Sequence, residues 1–164
     1  MQIATILLST DLSDASWTAL EPALFMAKSF NARVVILHVL PPAHTAIGGF
    51  DAAIVPLDLE QISENRRTEA EAAIRAKLAS STREVEVRVT EALNPAREIA
   101  EQAKELGADL LVMATHGRTG LSHILHGSTA ETVVRISTVP VLSVRAFPRK
   151  DVPEDAAATR AARS

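Results

Sequence analysis

Cysteine is absent from the 164 residues. Disulfide scaffolds, thiolate metal sites and thiol catalysis are excluded together. The absence fits a reducing compartment, and a cytoplasmic location is expected. Tyrosine is absent as well, and only four Phe and one Trp supply aromatic surface. That is too little stacking area for a single-strand nucleic-acid platform. No charge of one sign dominates: 17 Lys and Arg stand against 20 Asp and Glu, a net charge of −3, with a pI near 5.9. Duplex nucleic acid, which is bound largely through counterion release to basic surfaces, is not the expected partner. No apolar run approaches the ~18 residues that a membrane span requires, so no membrane is expected either. The start, Met1-Gln2-Ile3-Ala4-Thr5, carries neither a basic region nor a cleavage site, and no signal peptide is expected.

What is present is an ordinary globular composition, 47% hydrophobic and 23% charged. A chain of this length makes one domain that buries roughly 70% of the surface its unfolded form exposes. The run Ile3-Ala4-Thr5-Ile6-Leu7-Leu8 reads as a buried strand ending in the polar turn Ser9-Thr10-Asp11. Trp17, Leu20, Leu24 and Ala27 recur at helical spacing and predict one helix from Asp14 to Phe30. Arg33 to Leu40 is a β-branched strand stopped by Pro41-Pro42. Ala43 to Pro56, with Gly48-Gly49, has no period and reads as a long loop of the kind that often carries function.

The second half repeats the pattern. Asp58 to Ala79 predicts a helix with Ile62, Ala70, Ile74 and Leu78 inward. Glu84 to Thr90 alternates, with Val85, Val87 and Val89 on one face. Asn94-Pro95 opens a third helix as cap and first residue, and Gly107 closes it. Leu110 to Ala114 is another buried strand, Ser128 to Ile136 a short helix, and Val139 to Val144 the last strand. From Phe147 onward apolar periodicity stops, so residues 1–146 are expected to form the domain and 147–164 a flexible tail. Strand–helix alternation with continuous apolar strands predicts an α/β doubly wound fold around a parallel sheet.

In such a sheet, ligands sit beyond the carboxyl ends of the strands, where the strand order reverses. The first strand is followed by Ser9-Thr10-Asp11-Leu12-Ser13, which has no glycine fingerprint for a dinucleotide, and no Gly-Lys-Ser or Gly-Lys-Thr of a P-loop occurs. A phosphoacceptor role for Asp11 would need clustered acids and a lysine on the last strand, where Ser143 and Arg145 stand instead. The glycines come after the fourth strand. Ala114-Thr115-His116-Gly117 is followed by nine residues and then by Gly127-Ser128-Thr129. Gly117 lets backbone approach an anion, and the amides opening the Ser128 helix favour negative charge. Ser128-x-x-Glu131 equally matches a capping box that requires no ligand. His123 and His126 lack a neighbouring carboxylate, and no metal site is expected there.

The run Ala114-Thr115-His116-Gly117-Arg118-Thr119-Gly120, the spacer and Gly127-Ser128 resemble the signature of the universal stress protein family. The resemblance covers residues 1 to about 146 and includes Ser9-Thr10-Asp11-Leu12-Ser13, His38-Val39, Asn94-Pro95 and Val139-Pro140-Val141. Ala114 stands where the family signature begins with glycine, and Leu93 where a small residue is frequent. The resemblance implies a sheet of strand order 3-2-1-4-5. It implies binding of ATP or a related adenine nucleotide. Asp11 would bond the adenosine part and Val39 the adenine edge through its backbone. Ala114 would lie near the ribose. Gly117, Gly127, Ser128 and Thr129 would hold the phosphates, with Arg118 within reach of them. Mg²⁺ could bridge phosphate oxygens and a hydroxyl such as Ser128. The expected assembly is a homodimer through the last strand, and no catalytic base or nucleophile is discernible. Two alternatives stand beside this reading: a dimeric interaction protein without nucleotide, and a slow ATPase.

Overall fold

The amino-terminal apolar run forms β1 (Thr5–Ser9), all five of its residues buried. The computed structural model describes residues 2–46, 58–79, 84–115 and 128–146. Four more strands follow: β2 (Arg33–Leu40), β3 (Val85–Glu91), β4 (Leu110–Ala114) and β5 (Val141–Val144). They form one sheet of order β3-β2-β1-β4-β5, with every pairing parallel. The doubly wound α/β architecture and its strand order are those expected.

Among the described residues six helical segments flank the sheet: α1 (Asp14–Trp17), α2 (Leu20–Phe30), α3 (Ala43–Ala46), α4 (Leu59–Lys77), α5 (Pro95–Glu105) and α6 (Ser128–Ile136). One core layer joins Ile6, Leu8, Val34, Ile36, Leu110 and Val112 of the sheet to Ala23 and Ala27 of α2 and Ile74 of α4. The other joins Leu7, Val35, Leu37 and Leu111 to Ala96, Ile99 and Ala103 of α5 and Val133 of α6. Each fully buried Ile or Leu contributes about 1.5–3 kcal/mol over its exposed state. Small alanines on α2 and α5 let the helices approach the sheet closely. β3, at one edge, keeps the half-buried alternation its sequence shows.

Local structure departs from the sequence expectation in four places. The single helix expected from Asp14 to Phe30 is two helices. Pro22 has no N–H to bond the carbonyl of Thr18, and its ring would clash there. The chain tightens instead, with Thr18 N–H bonding Ala15 O at 3.3 Å and Ala19 N–H bonding Ser16 O at 3.2 Å. Ala43–Ala46, expected as loop, is a helical turn that follows Pro42, with Thr45 N–H bonding Pro42 O at 2.9 Å. The rest of that expected loop, residues 47–57, lies outside the described residues, as do 147–164. β1 starts at Thr5 rather than Ile3. β5 starts at Val141 rather than Val139, because Pro140 has no N–H and Val139 is turned into a bond with Ser137 Oγ at 3.0 Å.

Two left-handed residues end helices in the same way. Asn31 (φ 53°) follows α2 and Gly107 (φ 59°) follows α5. The next residue then bonds back across the helix end, Ala32 N–H to Ala27 O and Ala108 N–H to Ala103 O, both at 2.9 Å. At the amino edge of the sheet, the Asp109 carboxylate accepts the N–H groups of Ala4 and Thr5 at 2.8 and 2.9 Å. Arg33 Nε donates to Thr5 Oγ1 at 3.0 Å. These contacts lock the edge opposite the candidate site.

Candidate functional site

Strand order reverses between β1 and β4. The chain leaves β1 toward β2 and leaves β4 toward β5, so their carboxyl ends diverge and open a crevice. The turn after β1 is held by a closed set of side-chain bonds. Thr10 Oγ1 accepts the N–H of Leu12 at 3.0 Å and pairs with Ser16 Oγ at 2.7 Å. Asp11 Oδ1 accepts the N–H of Ser13 at 3.0 Å and also the Ser13 hydroxyl. Ser13 caps α1 through Ser16 N–H at 3.1 Å. His38, buried at the end of β2, donates from Nδ1 to Thr10 O at 2.8 Å, which fixes the tautomer because a carbonyl only accepts. Leu12 adopts φ 65°, an uncommon conformation for a bulky residue. The surrounding bonds hold it there.

Backbone direction then points two of the sequence-predicted residues at the crevice. Leu37 O bonds Thr10 N–H on the β1 side at 3.0 Å, and Leu40 O bonds Ala92 N–H on the β3 side at 2.9 Å. Main-chain groups alternate along a strand, so Val39 turns its N–H and C=O toward β1, beyond Ser9, its last residue. On the other flank, Leu111 N–H bonds Pro140 O and Thr115 N–H bonds Val144 O, both at 2.9 Å on the β5 side. Ala114 therefore faces the β1 side. Val39, Asp11 and Ala114, each half-buried, converge on one crevice from three strand ends.

α6 closes the set. It ends at Ile136, just before β5 begins at the amino edge, so it runs antiparallel to the strands and starts at the carboxyl edge. Ser128 and Thr129 are its first residues. The opening N–H groups of a helix have no helical acceptor and favour an anion. Gly117, Arg118 and Gly127, expected beside them, lie outside the described residues, as do His116, His123 and His126. Sequence reading missed Ser16. Its signal was the Ser13-x-x-Ser16 spacing of a helix cap, hidden inside the apolar stripe of an apparently longer helix.

The crevice offers short hydroxyls, one carboxylate and main-chain groups. Among the described residues no cluster of three His, Asp or Glu converges to hold a metal ion. Such a surface suits a polar ligand carrying an anionic group and a hydrogen-bonding edge. The model of the universal stress protein family matches residues 3–145. The chain belongs to the universal stress protein family. Universal stress protein MJ0531 of Methanocaldococcus jannaschii is 38% identical over 149 residues, covering 89% of this chain and 84% of that protein. Among solved universal stress protein structures, one in complex with cAMP is 26% identical, with a TM-score of 0.59, covering 90% of this chain and all of that one. MJ0577 of the same archaeon superimposes with a TM-score of 0.66 at 26% identity, covering 92% of this chain and all of that one. No helix among the described residues is long and apolar enough to cross a membrane.

Proposed function

We propose that this universal stress protein binds ATP or a related adenine nucleotide in the β1–β4 crevice and acts as a nucleotide-responsive homodimer in the cytoplasm. The observation that carries the reading is the convergence of Val39, Asp11 and Ala114 on the switch point, with the α6 start at the same edge. Val39 would supply main-chain bonds to the base edge, Asp11 a carboxylate for the sugar, and Ala114 a small surface against the ribose. Gly117, Gly127, Ser128 and Thr129 would take the phosphates, with Arg118 beside them. The cAMP bound by a relative of the same fold supports an adenine ligand. Mg²⁺ would ride on phosphate oxygens and a hydroxyl such as that of Ser128.

A binding module is favoured over an enzyme. Fast phosphoryl transfer requires charged groups aimed at the transferring phosphate, and the sequence offers Arg118 there without a lysine to complete a clamp and without an evident base or nucleophile. The deciding experiment is titration of ATP by calorimetry into the wild type and Gly127→Val, with circular dichroism to check the fold. Loss of binding in a folded variant is expected, since a side chain there would block approach of phosphate to backbone. Equal affinities would sink the site. Phosphate release over time in the same two proteins tests the slow-ATPase reading, and a wild type that neither retains nor binds nucleotide would leave a dimeric interaction protein.

A further inference from the structure

Helix α2 carries apolar side chains on more than the face it turns to the sheet. Ala23 and Ala27 are buried in the core layer. Beside that face, Trp17 at the end of α1 and Leu20, Leu24 and Phe25 of α2 line a groove of about 420 Å³, together with Glu21 and Lys28. Trp17, Leu20 and Leu24 are half-buried, and Phe25 is 71% exposed. Contiguous apolar surface rimmed by charge marks an interaction site, whereas singly scattered apolar side chains do not.

The charges on this face say what fits it. Glu21 lies in the first turn of α2 and Lys28 in the last, about two turns apart along the groove. Leu24 and Phe25 stand at the midpoint between them. Among the described residues neither Glu21 nor Lys28 has an ion-pair partner. Turned end for end about an axis through that midpoint, α2 presents each glutamate to a lysine and Phe25 to Leu24. A surface that is its own complement under a two-fold rotation is the mark of a contact between identical chains. We propose that this face docks a second copy of the chain, α2 antiparallel to α2, with Phe25 of each copy over Leu24 of the other and Glu21 paired with Lys28 at both ends. The same charges also complement the dipole of their own helix, but that role leaves the exposed ring and the groove unexplained. The contact is separate from the β5 edge and requires no nucleotide. One helix face is a small area, so association through it is expected to be weak and to rise with protein concentration.

Trp17 is the sole tryptophan, so its fluorescence reports from this groove. Iodide quenching and sedimentation are followed against concentration in the wild type, Glu21→Lys, Lys28→Glu and the double variant that carries both changes. Glu21 and Lys28 are exposed, so the fold is retained, which circular dichroism checks. In the wild type, quenching is expected to fall as concentration rises and a larger species to form. Each single reversal sets like charges opposite one another. Both effects are then lost, leaving at most the β5 dimer. An equal mixture of the two single variants recovers them, because each chain meets its opposite in the other, and the double variant recovers them alone. Charges that serve only the helix dipole give no such recovery. Wild-type quenching that does not change with concentration would overturn the proposal. So would single reversals that keep the wild-type profile, or a mixture that behaves as its two components do apart.

Discussion

His38 and Thr10 lie 28 positions apart, yet Nδ1 of the buried imidazole donates to the Thr10 carbonyl at 2.8 Å. The bond ties the end of β2 to the exit of β1 and so sets the spacing across which Val39 faces Asp11. His38→Phe keeps a ring of similar shape and removes the donor. Leaving a buried carbonyl without it costs roughly 1–3 kcal/mol. A lower urea midpoint at unchanged slope is the expected result, together with weaker nucleotide binding. A midpoint equal to wild type would show that the contact does not hold the turn.

Asp109 tests the opposite edge. The N–H groups of Ala4 and then Thr5 bonding to its carboxylate hold its pKa below the usual value, against a smaller opposing effect of burial. A depressed folded-state pKa contributes stability that is present above the unfolded value, near 3.9, and lost as pH falls through the folded one. Asp109→Asn is therefore expected to melt below wild type at neutral pH, with the gap closing in acid below the ordinary Asp range. A gap that stays constant with pH would remove the charge from the account.

Gly107 has φ 59° and, its own backbone and adjacent residues aside, no atom within 4 Å of where a Cβ would stand. Gly107→Ala then meets only backbone strain, about 1–2 kcal/mol. Asn31, in the same conformation after α2, would tolerate glycine with little change. Denaturant unfolding of both variants checks the pair, and an unstrained Gly107→Ala would argue against the left-handed helix end.

The proposed assembly through β5 rests on its position in the sheet. β5 is an edge strand, paired on one side with β4, and an unprotected edge is a template for another chain. Antiparallel pairing with the same strand of a second copy would satisfy it about a two-fold axis. Leu142→Lys and Val144→Pro are expected to shift the protein toward monomer in light scattering. A wild-type monomer, or variants as dimeric as wild type, would rule this seam out.

Periodicity and local punctuation were enough for much of the fold. The apolar runs of β1, β2 and β4 and the alternation of β3 report burial on two faces or one, and Asn94-Pro95 and Gly107 act on their own neighbours, with Asn94 Oδ1 accepting Arg97 N–H at 3.1 Å. Pro22 was equally local, but its break was masked by an apolar stripe that runs through both α1 and α2. The candidate site was legible only as a set of residues following strands. What brought Val39, Asp11 and Ala114 together is the parallel register, Ser9 opposite Leu37 on one side and Met113 on the other. A period of two constrains which face a side chain takes but leaves open which strand lies alongside and at what offset. The contacts of His38 with Thr10 and of Asp109 with Ala4 depend on that offset, and hence on the packing of helices onto both faces, which selects it.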